Sequence, residues 1–493
     1  MGSHLRCGFG KPLETRCGYG RGKVGLVPIP SVFYRSEPAR CWEQPKQLAP
    51  MRRLRFHHLL AVRVLLLAAA VVQECAAQGG ASAGGDHAPL VSPLAKDPAT
   101  SLYTISIKDG AGPLVVDLAG PLVWSACASG HPTFPCGSAE CDAANCWHQQ
   151  GRPWHQDYGA GAEVDGGDRF CACTARPCDP VTRDRCAPGD LTTFAMSANA
   201  TDGRNALHPV AFQAVGACAP DQLLRSRSLP AGTEGVAGFG RAPLSLPAQL
   251  AARRGFGSRF ALCLPGVAIF GDTPIYLGYY PPDLMTTIAS TPLAASPKSG
   301  GYYLPVEAIS VSWPNWNAPT ARAALPPGAL ELDAATGRGG VTLSTVQRYT
   351  AMRSDVYRAF VRAFNETIGT PGYVKPMPAV APFELCYDTF SLRRVRVLGW
   401  DVPSIRLELG AGASMNWTVA SGNSMVQAAD RTLCLAVVEM GPGAAHGAAV
   451  VIGGYQVEDN LLVFDEDKEV LHFSGLLWGS GATCSGFNFT APQ

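Results

Sequence analysis

Asp117 is the residue in this chain best placed for chemistry. It stands in P-L-V-V-D-L-A-G-P-L-V-W (Pro113 to Trp124), where a short apolar strand delivers a carboxylate to a turn ending at Gly120 and a second apolar strand closes on Trp124. A carboxylate held this way serves general acid–base chemistry when a second group shares its work on a water or a substrate. A similar strand and turn occur once more: Gly339-Gly340-Val341-Thr342-Leu343 leads into Ser344-Thr345-Val346, so a serine ends the second strand. A serine hydroxyl cannot act as a general base near neutral or acid pH. Asp333, in D-A-A-T-G, lies before the Gly-Gly strand instead of after it and is a poor substitute.

The elements that must position these turns read as short strands. Runs at Leu102 to Ile107, Leu114 to Asp117, Val341 to Leu343, Ile405 to Leu409, Val450 to Ile452 and Leu461 to Phe464 are mostly bounded by Gly, Pro or Asp clusters, the pattern of a sandwich or barrel. Helical signals are few. Val356, Phe360, Phe364 and Ile368 recur every four residues and predict a helix over Asp355 to Ile368, capped by Ser354 or Asp355; a second short helix is predicted from Leu246 to Arg253. The expected class is therefore all-β, in two similar lobes of residues 78–297 and 298–493 that meet near T-P-L-A-A-S-P-K-S-G-G (Thr291 to Gly301).

The chain has 493 residues, of which 47% are apolar and 16% charged, so it is long enough for a large core and unlike a disordered chain. Its formal charge of +1 lacks the basic excess of a nucleic-acid binder. That total includes a leader. From Met51, a basic start, an apolar run of about 14 residues and a small-residue end at Cys75-Ala76-Ala77 predict a cleavable signal over residues 51–77. The apolar run is short for a membrane span and Arg63 interrupts it, so no membrane attachment is expected after cleavage. Residues 1–50 read as an upstream extension. Without residues 1–77, Lys plus Arg falls from 40 to 28 and Asp plus Glu from 39 to 35, a charge of about −7, and cysteine falls from 17 to 13.

Thirteen cysteines in a secreted chain predict a disulfide framework with one thiol left over. They are Cys127, Cys136, Cys141, Cys146, Cys171, Cys173, Cys178, Cys186, Cys218, Cys263, Cys386, Cys434 and Cys484, and the crowded Cys171 and Cys173 are candidates for the spare thiol. Zinc is the competing use, with His148 and His155 nearby, but an oxidising compartment disfavours it. No metal and no cofactor are expected. Asn199, Asn365, Asn416 and Asn488 each precede x-Thr and are candidate glycosylation sites. Gly80-Ala-Ser-Ala-Gly84 fits a hydrolase elbow only by letter, since no strand precedes it.

The Asp117 loop resembles the first catalytic loop of pepsin-like aspartic proteases. Gly235 to Leu250 (G-V-A-G-F-G-R-A-P-L-S-L-P-A-Q-L), Glu384 to Asp388 (E-L-C-Y-D) and Val450 to Phe473, with its glycine turn and final hairpin, are similar to further blocks of that family and together span nearly all of the chain after the leader. The resemblance implies a bilobal pepsin-like fold with a central cleft. In that family two facing carboxylates share a proton and hold the attacking water. Here Ser344 stands at the second position, Val346 replaces the turn glycine, and Leu118 and Ala119 replace the threonine that pins the turns together.

A narrower resemblance is to the wheat-type cereal xylanase inhibitors, a group that includes legume basic globulins and dermal glycoproteins. It rests on L-A-K-D-P-A-T-S-L-Y-T-I (Leu94 to Ile105), V-D-L-A-G-P-L-V-W-S-A-C (Val116 to Cys127), N-A-T-D-G (Asn199 to Gly203), G-V-A-I-F-G (Gly266 to Gly271), G-G-V-T-L-S-T (Gly339 to Thr345), R-S-D-V-Y-R (Arg353 to Arg358) and G-N-S-M-V (Gly422 to Val426). It implies a monomeric, extracellular plant-defence protein of the cell wall space that blocks microbial family 11 endo-1,4-β-xylanases. An atypical aspartic endopeptidase and a globulin-like storage or binding protein are the alternatives. In the wheat protein a histidine shortly before the last cysteine enters the xylanase cleft; here Trp478 falls at about that place, and His472 is expected to lie in the last strand. A net charge of about −7 gives no steering toward an acidic cleft.

Overall fold

The computed structural model describes residues 87–146, 171–277, 283–296, 299–314, 320–333, 335–397, 399–441 and 447–490. The extension at 1–50, the signal at 51–77, the G-A-S-A-G stretch, His148 and His155 lie outside them, as do residues 297 and 298 at the expected lobe boundary. All described residues belong to one compact unit, Ala81–Gln493.

The strands that carry the two turns are built into one repeated pairing pattern. Leu114–Asp117 runs parallel to Gly235–Gly238, with Asp117 opposite Gly238. Val123–Ser125 lies antiparallel to that same strand and parallel to the end of His208–Cys218. The pattern then recurs: Val341–Leu343 is parallel to Val450–Ile452, while Thr350–Met352 is antiparallel to it and parallel to Val437–Glu439. In each case a strand contributed from far along the chain separates two strands that are close in sequence. The turn between those two strands is thereby held at the carboxyl end of a buried strand, where side chains leave the sheet and face open space.

Three of the predicted strands, Leu114–Asp117, Val341–Leu343 and Val450–Ile452, have the observed limits. The others differ by one or two residues at one or both ends: Tyr103–Ile105, Ser404–Leu409 and Asn460–Asp465. Among the described residues, thirteen strands form one sheet, and the late hairpin of Asn460–Asp465 and Val470–Leu476 joins it beside Arg259–Cys263. The sequence halves are therefore interleaved. Phe260 from the first half stacks on Phe464 from the second at 4.7 Å, and Tyr302 lies 4.5 Å from Phe464. Each such ring, fully buried, contributes roughly 1.5–3 kcal/mol relative to exposure.

The helix Ser354–Gly369 buries Val356, Phe360, Phe364 and Ile368, the stripe read from the sequence. Its cap differs from expectation. Arg353 holds the capping position with no side-chain cap bond, and its guanidinium binds Asp355 at 2.7 and 2.8 Å, tying down the first turn. The helix Leu246–Arg254 starts at Ser245, whose hydroxyl accepts from the Ala248 amide at 3.4 Å, and stops at Gly255 in the left-handed region.

Six disulfides join Cys127 to Cys218, Cys136 to Cys171, Cys141 to Cys173, Cys178 to Cys186, Cys263 to Cys484 and Cys386 to Cys434. Cys171 and Cys173 are both bonded, which corrects the expectation that one of them is spare. They alternate on one extended segment and reach different partners, so crowding in sequence does not mean competition in space. Cys146 takes part in none of the six, and its side chain lies outside the described ones. No helix among the described residues is long and apolar enough to cross a membrane.

Candidate functional site

A cavity of about 670 Å³ lies between the two turns, lined by Asp117, Gly120, Trp124, Arg183, Ser344 and Gln347 among others. The first turn depends on close backbone approach: a side chain on Gly238 would meet the carbonyl oxygens of Gly120 and Leu122 at 2.5 Å, and one on Gly120 would lie 2.9 Å from the Gly238 Cα. Glycine at both places lets the Asp117 turn sit directly on the neighbouring strand.

Asp117 is buried, with 4% of its side chain exposed, and its carboxylate accepts from the Ala119 amide at 3.1 Å and from Arg183 Nη2 at 2.7 Å. Burial pushes this carboxyl above the usual carboxylate range, while Arg183 and the Ala119 and Gly120 amides oppose that rise. In a dyad the neighbour of such a carboxylate would be a second carboxylate sharing its proton. Here it is a guanidinium, which permanently carries the opposite charge.

Arg183 reaches Asp117 from the loop closed by the Cys178–Cys186 disulfide. Asp179 organises that loop: its Oδ1 accepts from the Val181 and Thr182 amides at 2.9 and 3.1 Å, and its Oδ2 accepts from the hydroxyls of Ser226 and Ser228. Burial works to raise the Asp179 carboxyl, but these four bonds outweigh it and hold the group below its usual value. The Arg183 backbone sits in the left-handed region at φ 59°, and its amide donates to the Asp179 carbonyl at 3.0 Å. Arg183 and Asp179 were not found by sequence reasoning. The available signal was the eight-residue spacing of Cys178 and Cys186 around D-P-V-T-R-D-R, a small closed loop carrying charged residues.

Ser344 also lines the cavity, but its hydroxyl is taken by its own turn, accepting from the Val346 and Gln347 amides at 3.3 and 3.0 Å. The turns are nevertheless pinned to each other. Thr345 Oγ1 accepts from the Leu118 amide at 3.0 Å and donates to the Val116 carbonyl at 2.6 Å, while Leu118 returns nothing, because its side chain is apolar. The pin is one-sided. Thr345→Val is expected to lower stability by about 1–2 kcal/mol, since it strands a buried amide, as read from a urea midpoint with unchanged slope.

Of the other candidates, Asp333 is exposed and caps its own turn through the Ala335 and Thr336 amides, outside the cavity lining. Trp478 is half-buried in a short 3-10 turn, its indole N–H donates to Asp459 at 2.8 Å, and its ring lies over Gly422. Asp459 in turn accepts from the Cys484 amide at 2.9 Å. His472 lies in strand Val470–Leu476, where burial and Arg259 push its imidazole down. Asn365, Asn416 and Asn488 are exposed; Asn199 is half-buried inside strand Gly189–Ala200. Cys127, His131 and Cys218 lie within 4.8 Å of one another, but the two sulfurs are joined in a disulfide and offer no thiolate.

These features define an all-β pepsin-like fold in which the carboxylate pair is replaced by a carboxylate–guanidinium pair. The chain belongs to the xylanase-inhibitor family: residues 103–272 match the family's N-terminal domain profile and residues 301–475 its C-terminal one. It is 46% identical over 447 residues to a protein of Oryza sativa subsp. japonica named Chitinase CLP, covering 88% of this chain and 99% of that one. It is 29% identical over 421 residues to Basic 7S globulin 2 of Glycine max, covering 81% and 90%. Among solved structures it is similar to edgp, with 30% identity and a TM-score of 0.68 over 82% of this chain and 99% of that one. The soybean Basic 7S globulin structure follows at 28% identity and a TM-score of 0.63 over 82% and 99%.

Proposed function

We propose that this chain is a secreted, proteolytically silent protein whose action is to bind and inhibit a microbial endo-1,4-β-xylanase. The observation that carries the first half of this reading is the ion pair at the cavity floor. Asp117 is occupied by Arg183 and Ser344 by its own turn, so among the described residues that line the cavity no carboxylate pair is left to hold and activate a water. The family's domain description supports the second half.

Denatured globin incubated with the purified protein at about pH 3 to 5 is expected to stay intact with or without pepstatin. Pepstatin-sensitive cleavage that disappears in Asp117→Ala would instead make the chain an aspartic endopeptidase. Inhibition is tested by titrating fungal family 11 xylanases with the protein; activity is expected to fall, and no loss with any of them removes the inhibitor role. Because the Trp478 N–H is already bonded to Asp459 and the ring is packed on Gly422, the exposed part of the ring is what remains to meet a partner. Trp478→Ala is expected to weaken inhibition about tenfold, in the range of a lost aromatic anchor.

A chitin-directed reading is favoured by the rice relative's name. Hydrolysis of a glycosidic bond normally uses two carboxyl groups roughly 5–9.5 Å apart, and Asp117 is the only carboxylate among the described residues that line the cavity. This reading therefore supports chitin binding more readily than chitin cleavage. Retention of the protein on chitin beads, with no loss of xylanase activity in its presence, is the result that would favour it over inhibition.

A further inference from the structure

One surface far from the Asp117 loop in sequence combines features that a merely solvated face lacks. Phe390 is 77% exposed, unusually open for an aromatic side chain, with Arg431 stacked at 4.3 Å from its ring centre. Close by in the chain, the short hairpin of Arg394–Val395 and Gly399–Trp400 sets Arg394 over the Trp400 ring at 4.8 Å. The backbone ties the pieces together: the Lys375 amide donates to Ser391 Oγ at 3.0 Å, and the Thr389 amide to the Arg431 carbonyl at 3.0 Å. Arg431 is ion-paired to Asp388 at 3.0 Å. Lys375, Arg394 and Arg396 are exposed and make no ion pair among the described residues.

The result is three exposed cations, Lys375, Arg394 and Arg396, on segments tied to the one that carries an open ring, beside Arg431 and Arg393, which are paired with Asp388 and Asp401, on a chain whose residues 78–493 carry about −7. Guanidinium groups match carboxylates by a planar fork, and an open ring offers a flat face for the C–H side of a sugar. A protein partner would want a contiguous apolar centre around its anchor, whereas the group stacked on this ring is the Arg431 guanidinium with Asp388 paired to it. We propose that this surface binds an anionic, uronic-acid polysaccharide such as polygalacturonate, the carboxylates meeting Arg394, Arg396 and Lys375 while one pyranose ring stacks on Phe390.

The test is calorimetric titration and affinity electrophoresis of the full purified protein with polygalacturonate, fully methyl-esterified pectin, arabinoxylan, poly-glutamate and a single-stranded oligothymidylate. Polygalacturonate is expected to retain the protein at low salt and release it as ionic strength rises. The esterified pectin and arabinoxylan, which have rings without the charge, are expected not to. Phe390→Ala should weaken binding about three- to tenfold, and the double change Arg394→Gln with Arg396→Gln about tenfold or more. All three positions are exposed, so an unchanged thermal midpoint checks that the variants fold. The proposal is overturned by absent binding to polygalacturonate, by equal binding of the esterified polymer, or by full affinity in Phe390→Ala. Equally tight binding of poly-glutamate or oligothymidylate would assign the surface to an acidic protein or a nucleic acid instead.

Discussion

Arg183→Ala is expected to destabilise the protein by about 2–3 kcal/mol at pH 7, and Asp117→Asn introduced on top of it to return most of that loss. Removing one partner of a buried ion pair ordinarily costs about 3–5 kcal/mol, because the other charge is left without compensation. Here the cost is set somewhat lower, because 44% of the Arg183 side chain is exposed and water can follow it out, although Asp117 stays 4% exposed. The pH dependence has a definite sign. Burial already raises the Asp117 carboxyl, and loss of the guanidinium removes its chief opponent. A carboxyl raised in the folded state binds a proton there more readily than in the unfolded chain, so stability falls as pH climbs from the unfolded value of about 3.9 through the folded one. The gap between Arg183→Ala and the parent protein should therefore narrow as the pH is lowered from 7 to 4. Urea midpoints at the two pH values measure it, and an equal gap at both would show that the carboxylate is not the group being neutralised.

Loss of the Cys263–Cys484 disulfide is expected to cost more, about 4–5 kcal/mol, because it closes the longest loop among the six, with a separation of 221 residues. Both cysteines are buried, and they join Arg259–Cys263 to the segment that follows the final hairpin. The Asp459 carboxylate, which holds both the Cys484 amide and the Trp478 indole, lies beside this link. The double change Cys263→Ala with Cys484→Ala, followed by urea and thermal unfolding, gives the comparison with the parent. Cleavage by an added protease near residues 477–490 should rise in parallel, since that segment then keeps no covalent link to the sheet and is held by the Asp459 bonds and the short pairing of Phe487–Asn488 with Tyr276–Leu277. A change below 1 kcal/mol would mean that the unbridged chain is already restrained by packing.

Much of the local structure was legible because its causes are local. A strand flanked by turn residues, or a stripe of Val356, Phe360, Phe364 and Ile368, states in its own spacing which side must be buried. The broken dyad was equally legible, as Ser344 and the apolar Leu118 and Ala119 stand in the sequence itself. The helix cap was misread because Arg353 anchors the first turn by an ion pair to Asp355, which competes with the hydroxyl and carboxylate caps that sequence rules favour.

By itself, then, the sequence determined the all-β class, the limits of the strands under both turns, and the absence of a second aspartate, since each depends on residue type and short-range spacing. Only the tertiary structure decided what Asp117 does without its partner. Arg183 lies 66 residues away, in a loop whose closure by Cys178 and Cys186 and whose bracing by Asp179, Ser226 and Ser228 follow no periodicity. The same holds for Thr345, which crosses between the turns to bind Leu118 and Val116, and for the pairing of the twelve bonded cysteines. Such contacts form because a buried charge or amide must find an opposite partner once water is removed, and packing of the whole chain determines which partner is within reach.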